Sequence, residues 1–273
     1  MAGVPEGATI RIGAVSYLNA RPLVFFLPRL APHAQIAVDY PSRLAERLRC
    51  GDLDVALIPS IEYFRLPGAR IVSDACVACE GQVKSVRLYG RKPVDQIETL
   101  ALDEGSRTSA VMARILLKER FRLEPRLKLL PLGASAEQSD ADAVMLIGDR
   151  GMFAPEGPFQ FVWDLGEEWV RWTGLPFVFA MWVTRSPGSC NGLERALAAA
   201  RDEGVRRLDE IARAEAPTVG VSQQECLAYF RDNLVFRLGP RQRQGLERFG
   251  RLAAQHGLAP PNVPLVFSDE PRS

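Results

Sequence analysis

Residues 55–58, Val-Ala-Leu-Ile, form an unbroken apolar run of strand length. This run constrains the fold most, because a strand that is apolar on both faces has to be covered on both faces, as parallel strands in α/β proteins are. The surroundings fit that requirement. Strands are expected at 10–15 and 35–40, with helices beginning at Arg21 and spanning 42–50, so strand and helix alternate. In the second helix Leu44, Ala45 and Leu48 form the apolar face, Arg43, Glu46 and Arg47 lie outside, and Gly51 ends it. A second series follows, with strands at 99–102, 127–132 and 143–147 and a long helix over 106–121. Short β-rich pieces at 75–79 and 83–89 separate the two series. Lys92-Pro-Val94 marks the crossing into a second lobe, and residues 174–183 read as the strand that returns. Helices are then expected over 193–214, from Ser222 and from Pro240, before a loosely held Pro-rich tail at 260–271. The expected fold class is α/β with two lobes, each a mixed, mainly parallel sheet flanked by helices, and a ligand cleft between them. Residues 1–92 plus 184–273 would form the first lobe and residues 93–183 the second. Clefts between domains are favoured small-molecule sites.

The 273 residues are 47% hydrophobic and 25% charged, which suffices for two lobes with real cores. The 34 basic and 33 acidic side chains leave a net charge of +1 and are interspersed, so there is no electrostatic footprint for nucleic acid. No run reaches the roughly 18 apolar residues of a membrane span. Residues 1–10 lack the basic and apolar regions of a secretory signal, which points to the cytoplasm. Five cysteines fit reduced thiols better than a disulfide framework. Cys76-Val-Ala-Cys79 has the spacing of half a zinc site, but no second such pair or nearby histidine completes it, so structural thiols in a strand pair are expected. His33 and His256 have no partners at metal-ligand spacing, and no metal is expected.

Five polar segments stand at or beside the strand ends expected at the cleft. In Ile12-Gly-Ala-Val-Ser-Tyr-Leu-Asn-Ala-Arg-Pro-Leu23 an apolar strand delivers Ser16, Tyr17 and Asn19 into a turn; Asn19 can donate and accept hydrogen bonds there, or simply cap the next helix. Asp103-Glu-Gly-Ser-Arg-Thr-Ser109 leads into a helix, whose free amides with Ser106, Arg107, Thr108 and Ser109 form a cradle for a carboxylate or phosphate; the plainer reading is again a cap. In Val83-Lys-Ser-Val-Arg-Leu-Tyr89 alternation places Ser85, Arg87 and Tyr89 on one strand face. Ser85 has no base placed to make it a nucleophile, so it is either a hydrogen-bonding group at the cleft or a surface serine. Gly148 and Asp149 end a buried strand in the second lobe, where Asp149 binds a hydroxyl or caps a turn. Ser60 and Glu62 follow the strand at 55–58 in the same way.

Taken in order, Val15-Ser-Tyr-Leu-Asn-Ala-Arg-Pro-Leu23, Leu53-Asp-Val-Ala-Leu-Ile-Pro-Ser-Ile-Glu62, Val83-Lys-Ser-Val86, Gly105-Ser-Arg-Thr-Ser109, Ile147-Gly-Asp149 and Trp172-Thr-Gly-Leu-Pro-Phe-Val-Phe-Ala180 resemble the chorismate dehydratase family of the futalosine route to menaquinone. The resemblance runs from about residue 10 to 185; the remainder matches only in its helical character. It implies a fold like the type 2 periplasmic binding proteins and a lyase without cofactor, which dehydrates chorismate to 3-[(1-carboxyvinyl)oxy]benzoate. It also implies that Asn19 and Ser85 are the catalytic positions. Neither is a strong base, so they are expected to orient the substrate while its own side-chain carboxylate takes the proton. Ser16, Ser60, Ser106, Arg107, Thr108, Ser109, Gly148 and Asp149 would bind substrate. The expected partner is therefore a small molecule acted on by a monomer or homodimer. Two other readings share the fold: the sister enzyme that makes 1,4-dihydroxy-6-naphthoate, thought to use a histidine base, and a non-catalytic solute-binding protein for a small anion.

Overall fold

A computed structural model describes residues 9–153, 155, 157–186, 188, 190 and 192–269. Strand β1 (Arg11–Val15) leads through a 3-10 turn at Leu18–Ala20 into two one-turn helices, α1 (Arg21–Val24) and α2 (Leu27–Leu30). Then come β2 (Gln35–Asp39), α3 (Pro41–Cys50), β3 (Val55–Pro59), α4 (Ser60–Arg65) and β4 (Arg70–Cys79). The second lobe holds β5 (Val86–Gly90), β6 (Thr99–Asp103), α5 (Thr108–Phe121), β7 (Arg126–Leu130), β8 (Ala143–Ile147), β9 (Phe161–Asp164) and α6 (Leu165–Thr173). The chain returns through β10 (Phe177–Thr184) to α7 (Leu193–Arg206), α8 (Leu208–Val219) and α9 (Gln223–Ala228). A π-helical turn at Tyr229–Asn233, β11 (Val235–Arg237) and α10 (Pro240–Gln255) complete it.

The strands form a six-stranded sheet in the order β11-β4-β10-β3-β1-β2 and a five-stranded sheet in the order β7-β6-β8-β5-β9. Parallel pairing joins β2, β1 and β3 in one sheet and β7, β6 and β8 in the other, while β10, β4, β11, β5 and β9 pair antiparallel. Each sheet is thus mixed, with two parallel and three antiparallel pairings in the first and two of each in the second, because the crossing strands run against the βαβ series they join. As expected of a strand covered on both faces, β3 is buried throughout, and so is β8.

The crossings fall earlier in the chain than the expected boundaries at 92/93 and 183/184. Strand β5 belongs to the five-stranded sheet, where it lies between β8 and β9, and β10 belongs to the six-stranded sheet between β4 and β3. The two lobes therefore exchange chain near residues 80–85 and 174–176. At the second crossing Trp169 of α6, Phe177 of β10 and Phe249 of α10 pack edge to face, with ring centroids 5.0 to 6.0 Å apart.

Two further expectations change. The helix expected over 193–214 is two helices broken at Arg207. The tail is tied down as far as the described residues extend: Tyr63 Oη donates to Pro264 O, Val266 N donates back to Tyr63 Oη, and Ile71 bridges Phe267. Residues 270 and 271 lie outside the described residues.

Helix α7 approaches α1 through Gly204, where a Cβ would lie 1.8 Å from the Pro22 carbonyl oxygen. Pro22 opens the helix behind the Asn19 turn, so this close approach sets where that turn sits. Gly204→Ala is expected to cost about 1–3 kcal/mol through overpacking, read as a lower urea midpoint. An unchanged midpoint would mean that the two helices do not meet there.

Candidate active site

The C-terminal ends of β1, β3, β6 and β8 point at one cleft between the sheets. The first lobe contributes Val15, Tyr17, Asn19, Pro41, Pro59, Val77, Phe179 and Ala180 to its lining, and the second contributes Val86, Gly105–Ser109, Ile147 and Gly148. Of the residues expected to bind, Asn19, Ser106, Arg107, Thr108, Ser109 and Gly148 are brought together here. Ser16, Ser60, Ser85 and Asp149 are not part of the lining.

The turn before α5 is built around Asp103, whose side chain is completely buried. Its Oδ1 accepts from Gly105 N at 2.9 Å, its Oδ2 pairs with Arg150, and its carbonyl accepts from Ser106 N. Burial pushes the Asp103 carboxyl above the usual range, against the pull of Arg150. So fixed, the turn presents Ser106 Oγ to the cleft, buried and without a hydrogen-bond partner among the described residues. Leaving such a group unpaired costs about 1–3 kcal/mol, which a ligand acceptor recovers. No side chain caps α5, so the capping alternative fails and its first amides stay free. Arg107 lies in the lining, but its guanidinium is engaged with Glu62 at 3.2 Å. Thr108 Oγ1 accepts from Ile61 N at 3.2 Å and lies 3.4 Å from Ser60 Oγ, which donates to Val178 O. Ser60 is thus a buried strut between the lobes, placed there because α4 begins at that residue.

Asn19 faces this turn from the opposite lobe. It does not cap α1, whose N-cap is Ala20 with no side-chain bond, and its amide makes no hydrogen bond to the described residues. The 3-10 turn that carries it is held from across the cleft, where Asp149 Oδ1 accepts from Leu18 N at 2.9 Å. Asp149 therefore holds the turn that carries Asn19 and stands outside the lining; burial raises its carboxyl above the ordinary range while the Leu18 amide opposes that. Gly148 has φ of +62°, and a Cβ there would also lie 2.7 Å from the Tyr17 ring. Ser16 is fixed by its backbone, with N donating to Asp39 O at 3.1 Å.

Ser85 precedes β5 and does not alternate with Arg87 and Tyr89 in a strand. The Asp164 carboxylate gathers the N–H groups of Val83 and Lys84 while capping α6 through Glu167 N. That leaves Lys84 at φ of +59° and turns Ser85 inward, where it is 1% exposed beside the cleft residue Val86. Tyr229 Oη donates to Ser85 Oγ at 2.7 Å. With its acceptor capacity partly used, the Ser85 hydroxyl keeps its own proton to donate. Nothing in the sequence marks Tyr229, which is 144 residues away. Asp164 was findable: Asp followed by Glu three positions on is an N-terminal helix signature.

The remaining titratable candidates lie elsewhere. Cys76 and Cys79 are fully buried in β4, and burial pushes the Cys79 thiol up to about 12. His33 is exposed, and His256 Nε2 lies 2.7 Å from Glu119 Oε1, outside the cleft. Among the described residues no helix is long and apolar enough to cross a membrane.

The family model for menaquinone biosynthesis matches residues 10–255. A chorismate dehydratase of Thermus thermophilus is 32% identical over 282 residues, covering 94% of this chain and 98% of that protein. Among solved structures, a protein of Archaeoglobus fulgidus superposes with a TM-score of 0.74 at 14% identity, over 93% of this chain and 100% of that one. The periplasmic aliphatic sulphonate binding protein of Escherichia coli does so with a TM-score of 0.60 at 15% identity, over 95% of this chain and 90% of the other. The structural likenesses establish the periplasmic-binding-protein fold, and the sequence matches establish that this chain belongs to the menaquinone biosynthesis family.

Proposed function

We propose that the cleft binds chorismate and removes water from it, giving 3-[(1-carboxyvinyl)oxy]benzoate, the first step of the futalosine route to menaquinone. The observation that carries this reading is the composition of the lining: among the described residues it holds no carboxylate, histidine, lysine or cysteine. A proton abstraction performed there draws its base from the substrate, and chorismate carries one in its enolpyruvyl carboxylate. In the proposed step that carboxylate takes the ring hydrogen beside the ether oxygen. The C–H electron pair forms the new ring double bond, the neighbouring hydroxyl leaves, and proton and hydroxide depart as water. Aromatisation drives the step, and the protein's contribution is to hold the reacting groups in line.

The free amides of α5 and Ser106 Oγ suit one substrate carboxylate, with a helix-end contribution of about 0.3–1 kcal/mol, or up to ~2 when partly buried. Asn19, free of other partners, suits the leaving hydroxyl, and Ser85, oriented by Tyr229, suits the enolpyruvyl carboxylate. The apolar wall of Val15, Val77, Val86 and Phe179 fits the ring. The same absence of a histidine from the lining disfavours the sister naphthoate activity. Nothing in the proposed reaction calls for a cofactor, nucleic acid, a membrane or a second chain, and it places the enzyme in the cytoplasm with its substrate.

Purified protein incubated with chorismate alone should yield a product lighter by one water, seen by chromatography and mass. Chorismate returned unchanged would favour a binding protein. Asn19→Ala is expected to lower kcat about 10²–10³-fold, as removal of one preorganised donor does, with little change in melting temperature; a normal rate would remove Asn19 from the mechanism. Tyr229→Phe should lower kcat about three- to tenfold, the worth of one neutral hydrogen bond, and full activity would release Ser85 from its assigned role.

A further inference from the structure

Four tyrosines are buried, and three of them spend their hydroxyls inside the fold: Tyr63 donates to Pro264 O, Tyr89 to Phe153 O and Tyr229 to Ser85 Oγ. Tyr17, 8% exposed, is the exception, with no hydrogen bond from its hydroxyl to the described residues. Tyr17 lines the cleft, so its hydroxyl is open to a ligand where the other three are closed off. Its ring lies against Gly148, and its Oη stands 2.8 Å from where a Cβ on Gly105 would be. That position is next to Ser106, whose Oγ is also unpaired, and both residues line the cleft. Two hydroxyls without a partner among the described residues, one from each lobe, thus stand at the start of α5.

We propose that Tyr17 binds substrate directly, its phenol hydroxyl donating a hydrogen bond to the same carboxylate that Ser106 and the first amides of α5 receive. This deepens the chorismate reading and rests on it. The group serves as a donor and not as an acid: burial, with Asp103 and Asp149 adding to it and Arg150 opposing, raises the phenol so that it keeps its proton. Since the carboxylate stays charged throughout the reaction, the bond contributes to ground state and transition state alike, and its loss belongs in KM. The ring has a separate part, sealing the lobes against Gly148, so removal of the oxygen alone leaves closure intact.

The test uses Tyr17→Phe, Ser106→Ala and the double variant, with two readouts: steady-state turnover of chorismate, and equilibrium binding of 3-[(1-carboxyvinyl)oxy]benzoate by calorimetry. Tyr17→Phe should melt like the parent, bind the dicarboxylate about ten- to a hundredfold more weakly, as expected for a hydrogen bond to a charged group, and raise KM by a similar factor while kcat changes far less. In the double variant the losses should fall short of the product of the single losses, because both hydroxyls serve one group. Parent-like binding and KM in Tyr17→Phe would overturn the proposal, and fully multiplicative losses would overturn the shared carboxylate. If the parent binds the dicarboxylate but does not dehydrate chorismate, the lyase reading falls and Tyr17 is judged on binding alone. If the parent does neither, both readings fall.

Discussion

The contact between Tyr17-Leu18 of the first lobe and Gly148-Asp149 of the second is what the cleft depends on. Two crossings of the chain leave the lobes free to differ in separation and twist, so covalent connection does not set the width of the space between them. The Leu18 amide on Asp149 and the Tyr17 ring on Gly148 set it, since both are directional or close contacts with little slack. Thr108 with Ile61, and Tyr229 with Ser85, close the same gap from two other sides. With these in place Asn19 faces the start of α5 across a space walled by valines and phenylalanine.

The electrostatic design follows from that closure. Three carboxylates stand around the cleft, the buried Asp103 and the half-buried Asp149 and Asp164, and each is spent on backbone N–H groups outside the lining. They hold the turns that carry Ser106, Asn19 and Ser85. A carboxylate facing inward would repel a doubly charged ligand in a medium of low dielectric. By using acids as scaffolding and neutral donors as lining, the protein receives an anionic substrate without placing a strong base beside it. That arrangement suits a reaction whose base and driving force both come from the substrate.

Much of this was legible in the sequence. The apolar runs at 55–58 and 143–147 require coverage on both faces wherever they lie, and β3 and β8 are buried throughout. The Gly105-Ser-Arg-Thr-Ser109 turn and Asn19 were readable as cleft candidates, because glycine and small polar residues at the junction of strand and helix serve either a ligand or a helix cap, and the structure shows no side-chain cap on α1 or α5. These are local signals, decided by neighbours within one turn of helix or a few positions of strand.

The chain's own pattern determined an α/β protein of two βαβ series with polar turns at its strand ends, because hydrophobic period and helix-end chemistry act over short separations. Only the tertiary structure decided that β5 belongs with the second lobe and β10 with the first, since an apolar strand carries no label for its partner. It also decided that Ser85 leaves the strand, drawn inward by Asp164 from 79 residues further along, and that Tyr229 meets it. The tail likewise depends on Tyr63, about 200 residues earlier in the chain. In each case the deciding term is burial of a specific pair of distant groups, a free energy that exists only once the chain has closed on itself.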